Sequence, residues 1–440
     1  MKKNLKIIIT LKMFLLQAKK DRSAYVRKEN DFSRDRVLTF EKVVLFIISL
    51  VKRSLSVELL DFFEHFGPAL KCTKSAFSQQ RKKLKYDFFK DWNQVLVNSF
   101  YNYETENIKR WKSHRLIGVD GSSAYLIDSD EIKKYFGTMG NDKKRIPMAL
   151  IMNCYDVLNE LSVKSAILPA TTDERFIAEQ WIETFSDDMI GIYDRGYATF
   201  AFMYLNIIGY EKEKKFVIRC PTETFLKEVR DFAKSGKFSQ VVQISATFKS
   251  IQHLHQLGYM LNGKTSIKVR LVKVVLDTGE IEVLATNLFD SLKYPSDEFK
   301  ELYFKRWPVE TEYDKMKNKC QIEAFSGHSV EAIKQDFYAG IFIMNLHSLM
   351  MGQCEEELSR INTTRKYAYK INRNVTIGIL KKRIVPIFIN NSPMYILQKL
   401  KQEFLKELEP VRPGRKLPRV VKTQHVYRKF HTVTNYRRAV

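Results

Sequence analysis

Residues 187–200 read DDMIGIYDRGYATF. The apolar run Met189–Tyr193 is short and flanked by polar residues, which suits a buried strand, and it stops at Asp194 before Arg195, Gly196 and Tyr197 lead into an apolar helix. An aspartate is thereby left at a strand end. The same pattern stands earlier in HRLIGVDGSS (114–123), where an apolar run ends in Asp120, followed by Gly121 and two serines. Taken singly, an aspartate after a strand is more often a turn or cap residue than a ligand.

Working outward, the pattern predicts strands in RLIGVD (115–120), RIPMALIMNCYD (145–156) and ELSVKSAIL (160–168), then a helix in DERFIAEQWIETF (173–185). A strand at MIGIYD (189–194), a helix at TFAFMYLNIIG (199–209) and a strand at KFVIRC (215–220) follow. This order allows the strands of Asp120 and Asp194 to be sheet neighbours, with two carboxylates side by side. Next come QVVQISAT (240–247), IKVRLVKVVL (267–276) and IEVLATNLF (281–289). The last two are separated by Asp277-Thr278-Gly279-Glu280, a hairpin signal with Gly279 supplying the turn. The basic residues Lys264, Lys268, Arg270 and Lys273 in this region suit either DNA contact or a solvated face.

A third carboxylate stands in ELYFKRWPVETEYDKMKNK (301–319). Tyr303, Arg306, Glu310 and Lys317 are spaced by three, four and seven, and at about 100° per residue they share an arc of about 60° on a helix. Leu302, Val309, Met316 and Cys320 form a neighbouring apolar stripe that can seat the helix on a core. Charged arcs are usually solvated faces. Pro308 lacks an N–H and biases Trp307 away from helical angles, so the helix is expected to begin or kink there. Three carboxylates of this kind suit hard divalent cations, and a two-metal site wants them flanking ions roughly 4 Å apart.

Together these residues resemble the DDE transposases of bacterial insertion sequences, in particular the insertion-sequence-four family with the signature Tyr-x2-Arg-x3-Glu-x6-Lys. Tyr303, Arg306, Glu310 and Lys317 meet every spacing. Four specified residues at fixed spacing arise by chance in roughly one chain in several hundred. The resemblance extends to D-G-S at Asp120, D-R-G-Y at Asp194, FVIRCP (216–221), ATNLF (285–289), Arg306-Trp307 and FSGHSVEAIKQDFYA (325–339), covering about residues 70 to 350. It implies an α/β fold, an RNase H-like catalytic core interrupted by a β-rich insertion, with helical regions on either side.

By the same resemblance, Asp120, Asp194 and Glu310 are the catalytic metal ligands for two Mg²⁺ ions, with Mn²⁺ as substitute. Tyr303, Arg306 and Lys317 hold the DNA backbone, and Trp307 stacks on an unpaired base. Arg195, Tyr197 and Arg219 are further DNA-binding candidates by sequence context. The implied reaction is cut-and-paste transposition on double-stranded DNA, with terminal inverted repeats and target DNA as partners. Ends are cut through a hairpin, by a homodimer at synapsis. Two other classes stay open: an RNase H-like nuclease or resolvase, and an inactive, DNA-binding regulator derived from a transposase. All three carboxylates are present, so nothing at these positions indicates retirement.

Composition agrees with a nucleic-acid partner. Among 440 residues, Lys plus Arg is 74 against 50 acids, a formal charge of +24. Such an excess makes binding salt-sensitive, because each neutralised phosphate releases counterions. Hydrophobic residues at 45% and aromatics at 12% are enough for a packed core. The apolar runs VVLFIISLV (43–51) and KIIITLKMFLL (6–16) are too short for a membrane span of about 20 residues, and the second lacks a cleavage site. A cytoplasmic, nucleoid-associated bacterial protein with no membrane partner is expected. Five scattered cysteines without a CxxC pair support neither a zinc ribbon nor a disulfide framework. His253 and His255 in QHLHQ are placed on one strand face, without a partner cluster.

The expected organisation is a helical N-terminal DNA-binding region (1–110), a first core part (111–220), a β-rich insertion (221–297), a second core part with the signature helix (298–360), and a basic C-terminal region (361–440). Before residue 110, SVELLDFFEHF is followed by a Gly67-Pro68 break and SAFSQQRKKLKYDFFKDW, with Ser75 as a helix cap. Gln79, Gln80, Arg81, Lys82 and Lys83 on its polar side suit a helix-turn-helix recognition helix and an ordinary basic surface equally. Residues 411–440 hold nine Lys or Arg and no acid, together with Pro413, Pro418, Tyr427, Phe430 and Tyr436. That composition suits a tail that orders on DNA, or one that only solubilises.

Overall fold

Ahead of the first strand, apolar residues recur at helical spacing and the chain forms α1 (Lys2–Lys20), α2 (Phe40–Ser49), α3 (Leu55–Glu64), α4 (Lys74–Arg81) and α5 (Asp87–Tyr103). Then come β1 (Arg115–Tyr125), α6 (Asp130–Phe136), β2 (Thr138–Asn141), β3 (Lys144–Asp156), β4 (Leu161–Pro169), α7 (Glu174–Ile182), β5 (Met189–Tyr193), α8 (Phe200–Ile207) and β6 (Lys215–Cys220). The segment that follows holds α9 (Lys227–Lys234), β7 (Ser239–Ser245), α10 (Phe248–Gln256), β8 (Ser266–Val275) and β9 (Ile281–Thr286). The rest comprises α11 (Glu298–Phe304), α12 (Trp307–Asp314), α13 (Val330–Gly352), α14 (Glu355–Thr363), β10 (Tyr369–Ile371), α15 (Arg373–Ile389), α16 (Met394–Lys406) and β11 (Leu408–Pro410). This is a computed structural model, and it describes residues 2–412 apart from 35, 68, 142 and 143. The basic tail from Pro413 on, with Pro418, Tyr427, Phe430 and Tyr436, lies outside the described residues, as does Pro68.

The chain divides into two units: residues 1–107, 123–149 and 314 onward form the first, and 108–122 with 150–313 the second. The first unit is mostly helical. Its centre is α13, whose sequence VEAIKQDFYAGIFIMNLHSLMMG is apolar on nearly every side and is accordingly buried along its length. Trp92 of α5 stacks on Phe342 of α13 with centroids 4.1 Å apart, and its indole N–H donates to the Leu11 carbonyl at 3.0 Å. The run VVLFIISLV lies mainly on α2 as a core helix. Among the described residues no helix is long and apolar enough to cross a membrane.

α4 departs from expectation at both ends. Thr73 rather than Ser75 caps it, its Oγ1 accepting the Ala76 N–H at 3.2 Å. Arg81, expected on the exposed polar face, is only 4% exposed, because Ala332, Gln335 and Asp336 of α13 and Ser326 of the loop before it claim its guanidinium. A base-reading role for Arg81 is therefore ruled out in this fold, while Gln79 and Lys82 remain exposed.

In the second unit a mixed sheet carries the strands in the order β3-β1-β5-β6-β9-β8-β7, with β4 also paired to β3. β1, β5 and β6 run parallel, and β9, β8 and β7 extend the same sheet antiparallel. The helices α7 and α8 cover the parallel part, and their Trp181, Ile182, Phe200, Phe202 and Leu205 share one core with Ile117, Val119, Phe216 and Ile218 of the strands. The predicted turn between β8 and β9 forms as read, with Gly279 at φ 83°. Two helices within that segment were not legible as such. In α9, Val229 and Phe232 bury one short face, and α10 takes up QHLHQ, so His253 and His255 lie on a helix and not on a strand. His253 Nε2 meets Glu179 Oε2 at 2.9 Å.

Candidate active site

The pairing of β1 with β5 sets the geometry. Gly118 is in register with Ile192 on the parallel neighbour, so Asp120 and Asp194, each two residues further on, lie side by side just past the last β1–β5 pair; Asp194 follows the end of β5 as read, whereas Asp120 lies within β1, which runs on to Tyr125. Asp194 also caps the 3₁₀ turn Arg195–Tyr197, its Oδ1 accepting the Gly196 N–H at 2.8 Å. Burial, together with the charge of Asp194, pushes the Asp120 carboxyl up to about 7, against the opposing pull of the Arg306 guanidinium. Two carboxylates packed this closely repel.

Glu310 reaches this sheet on α12. Val309 seats the helix against Gly118, where a Cβ would overlap Val309 Cγ2. One turn on, the Tyr313 hydroxyl donates to the Asp120 carbonyl. Glu310 is between these two anchors and faces Arg306, whose Nη2 donates to Glu310 Oε1 at 2.7 Å. The arginine side chain is 5% exposed and the glutamate 40%. If Gly118 exists to admit Val309, then Gly118→Ala will cost about 1–3 kcal/mol in urea unfolding through overpacking, and Val309→Ala in the same chain will recover part of it. Equal stability of Gly118→Ala and the parent would show that α12 is not seated this way.

The signature is not one regular helix. α11 ends at Phe304, α12 starts at Trp307 with Pro308 in its first turn, and a π turn occupies Lys315–Lys319. The proline explains the first break, since it cannot supply the N–H that a continuous helix would need. The apolar stripe holds through all three pieces, with Leu302, Val309, Met316 and Cys320 buried. Lys317 falls in the first unit, where its Nζ donates to the Ser123 carbonyl at 2.7 Å.

Tyr303 is buried, and burial pushes its hydroxyl up to about 12. The guanidiniums of Arg306 and Arg219 lie over its ring at 5.7 and 5.8 Å. Arg219 Nη1 is paired with Glu282 Oε1 at 2.7 Å. The Tyr303 hydroxyl and both arginine Nε atoms have no hydrogen-bond partner. Trp307 and Arg195 are exposed, whereas Tyr197, also proposed for DNA, is fully buried. Sequence reasoning missed Tyr313, Glu282 and Glu174, whose short polar contexts carry no signal of their own.

The donor set near Asp120 and Asp194 is all carboxylate oxygen, the chemistry preferred by hard divalent cations. Among the described residues no three His, Cys, Asp or Glu side chains stand close enough to hold one ion, and Glu310 is engaged by Arg306 instead.

Comparison with known proteins places the chain. It is a DNA-processing enzyme, one that cleaves and joins strands: residues 111–346 match the family described as Transposase DDE domain. The chain belongs to the DDE transposase family, as the signature resemblance indicated, and it is a DNA transposase. It is 22% identical over 322 residues to the transposase InsG for insertion sequence element IS4 of Escherichia coli (strain K12), covering 71% of this chain and 68% of that protein. A piggyBac transposase in a synaptic complex with hairpin DNA gives a TM-score of 0.40 at 10% identity, over 93% of this chain and 84% of that one. DDE transposases use divalent metal ions.

Proposed function

We propose that this transposase moves an insertion sequence by cut-and-paste, binding the element's terminal inverted repeats and inserting it into target DNA in the bacterial cytoplasm, on the nucleoid. The observation that carries the reading is the parallel pairing of β1 with β5, which sets Asp120 beside Asp194 just past the last β1–β5 pair. The core is RNase H-like in this reading, with Asp120, Asp194 and Glu310 as the catalytic ligands of two Mg²⁺ ions, Mn²⁺ serving as substitute. When bound, such ions activate the attacking oxygen and stabilise the leaving one.

The protein's own groups do the rest. Arg306 carries a buried positive charge at the acidic end of the sheet, and Tyr303 fixes that guanidinium and the one of Arg219 by its ring face. Arg195, Arg219, Arg306 and Lys317 supply cations to the backbone phosphates. Trp307, 43% exposed, offers a face on which an unpaired base can stack while the strand ends are joined as a hairpin. Water cuts one strand at the element end, the freed 3′-hydroxyl attacks the opposite strand, and the reopened end attacks target DNA. Residues 1–110 and the basic region 361–440 contribute further DNA contacts, the segment 221–297 flanks the core, and two copies act together at synapsis.

The test is incubation of the full chain with DNA carrying the ends that flank its gene. Mg²⁺-dependent cuts confined to those ends, absent with Asp194→Asn although DNA binding persists, are expected. Cutting that is indifferent to the ends, or unchanged in Asp194→Asn, would replace this reading by a nuclease or another site.

A further inference from the structure

The stretch PALKCTKSAFSQQRKKLKY (68–86) holds six Lys or Arg and no acid. Its middle is α4, whose polar side suits base reading and plain solvation equally when only the sequence is considered. The fold separates the two faces of this helix.

Phe77 and Arg81, one turn apart, face inward. The Phe77 ring meets Phe46 of α2 edge-on with centroids 4.7 Å apart, and Phe46 meets Phe62 of α3 in the same way at 5.1 Å. α2, α3 and α4 thus share one aromatic centre. The link from α3 to α4 runs over residues 65–73, longer than the three or four residues of a helix-turn-helix, so the turn does not fix α4 in place. Arg81 does. Its Nε donates to Gln335 Oε1, its Nη1 to Ser326 Oγ, and its Nη2 to the Ala332 carbonyl and Asp336 Oδ1, while Gln335 Nε2 donates to the Leu84 carbonyl at 2.6 Å. All four partners of Arg81 lie in FSGHSVEAIKQDFYA (325–339), a stretch of the transposase resemblance that no step of the reaction uses. Its buried polar groups hold α4 rigidly against α13.

The opposite face is left open. Ser75, Ser78, Gln79 and Lys82 fall within an arc of about 100° on the far side from Phe77 and Arg81, and all four are exposed. Ser78 Oγ donates to the Lys74 carbonyl at 2.8 Å, and among the described residues Gln79 and Lys82 have no side-chain partner. Beside Ser78 and Lys82 lies an open cavity of about 280 Å³, so α13 does not cover them. The carboxylates on its far wall are engaged elsewhere, Glu331 by Arg27 and the Tyr86 N–H, Glu131 by the Val330 N–H. Solvated helix faces are usually mixed in sign, as on α14, where Arg360 pairs with Glu356. The α4 stripe has no acid and no apolar side chain, on a helix anchored by a buried cation. It complements a polyanion.

We propose that α4 reads the sequence of the element's ends, its Ser75–Ser78–Gln79–Lys82 stripe lying in the major groove of double-stranded terminal-repeat DNA. Gln79 pairs with an adenine through N6 and N7, and Lys74 and Lys82 hold the flanking phosphates. From 75 to 82 the stripe is about 10 Å long, the length of about three base pairs, and the groove is wide enough to admit a helix. The inference rests on the proposed binding of terminal repeats and names the side chain that discriminates among sequences.

Equilibrium binding of the full chain to a duplex carrying its flanking ends and to a scrambled duplex, in EDTA at one salt concentration, tests this. Gln79→Ala should lower the ratio of the two affinities about tenfold and leave scrambled binding as in the parent. Across ends with single base-pair changes, the loss should map to one A·T pair, where the parent discriminates and Gln79→Ala does not. Lys82→Met should weaken both duplexes alike and reduce the slope of log affinity against log salt by about one. Thermal unfolding should be unchanged in either variant, because both side chains are exposed. If the parent prefers its own ends and Gln79→Ala, alone or with Ser75→Ala, keeps the full preference, this inference alone is overturned. Equal weakening of both duplexes by Gln79→Ala would overturn it too, since the residue would then touch only the backbone. A parent with no preference for its ends would overturn the terminal-repeat reading on which the inference stands.

Discussion

Glu310→Gln will bind element-end DNA as the parent does and will cut it at least about a hundredfold more slowly, the scale on which removing a single group from a preorganised site is felt. The substitution is nearly isosteric. Glu310 is 40% exposed, and its anchors to the fold are its neighbours: Val309 against Gly118 and Tyr313 on the Asp120 carbonyl. A glutamine Oε1 still accepts from Arg306, so α12 keeps its place and the arginine keeps a partner. What is lost is the charge that a divalent cation needs. A gel assay of end cleavage in Mg²⁺, with binding measured separately in Ca²⁺ or EDTA, gives the two numbers. Loss of binding in parallel with cutting would mean that Glu310 holds α12 in place. Undiminished cutting would remove Glu310 from the catalytic set.

The two strands were legible because two independent signals coincide in each. A short apolar run followed by Asp and Gly marks both elements, and β5 ends just before Asp194 as read, whereas β1 runs on through Asp120 to Tyr125; the other elements read between 115 and 220 form close to where they were placed. The parallel neighbour relation of β1 and β5 was only allowed by that order and needed the structure. The signature residues were legible as a spacing, and the helix start expected at Pro308 forms at Trp307; the π turn at Lys315–Lys319 was not legible, and the apolar stripe survives through all three pieces. The stripe survives because burial constrains the apolar side of each piece separately.

Other residues were illegible for a physical reason. Glu174 and Arg81 have local contexts that describe a solvated helix surface, and only partners far away in sequence leave Glu174 half-buried and Arg81 buried. Arg81 donates to Asp336, 255 residues distant, and Glu174 lies over Gly121. Likewise KEVRDFAK and QHLHQ are too short and too polar for one period to dominate, so α9 and α10 escaped a reading that saw the strands around them.

Asp336→Asn will cost about 3–5 kcal/mol of stability at neutral pH, the range for removing one partner of a buried ion pair. Arg81 Nη2 donates to Asp336 Oδ1 at 2.8 Å, Nε to Gln335 Oε1 at 2.6 Å and Nη2 again to the Ala332 carbonyl at 2.8 Å. Ser326 Oγ donates to Asp336 at 2.7 Å, and Lys52 Nζ stands 3.9 Å away. Both charged side chains of the pair are 5% exposed or less, so the guanidinium left behind has no water to turn to. These cations and hydrogen bonds hold the Asp336 carboxyl well below its ordinary range despite its burial. The sign follows: a depressed carboxyl contributes stability that is full above its unfolded value near 4 and is lost as pH falls through the lower folded value. The gap between parent and Asp336→Asn in urea unfolding should therefore be largest at pH 7 and narrow as the pH is taken down through 4. His347 adds to acid sensitivity from the other side, since burial lowers its imidazole to about 3 and protonation below about 6.5 favours the unfolded chain. Arg81→Met should be as damaging as Asp336→Asn, whereas Arg81→Met with Asp336→Leu removes both charges and should recover much of the loss. A loss under about 1 kcal/mol in Asp336→Asn, or a gap that does not change with pH, would show that the ion pair contributes no more than an exposed one does.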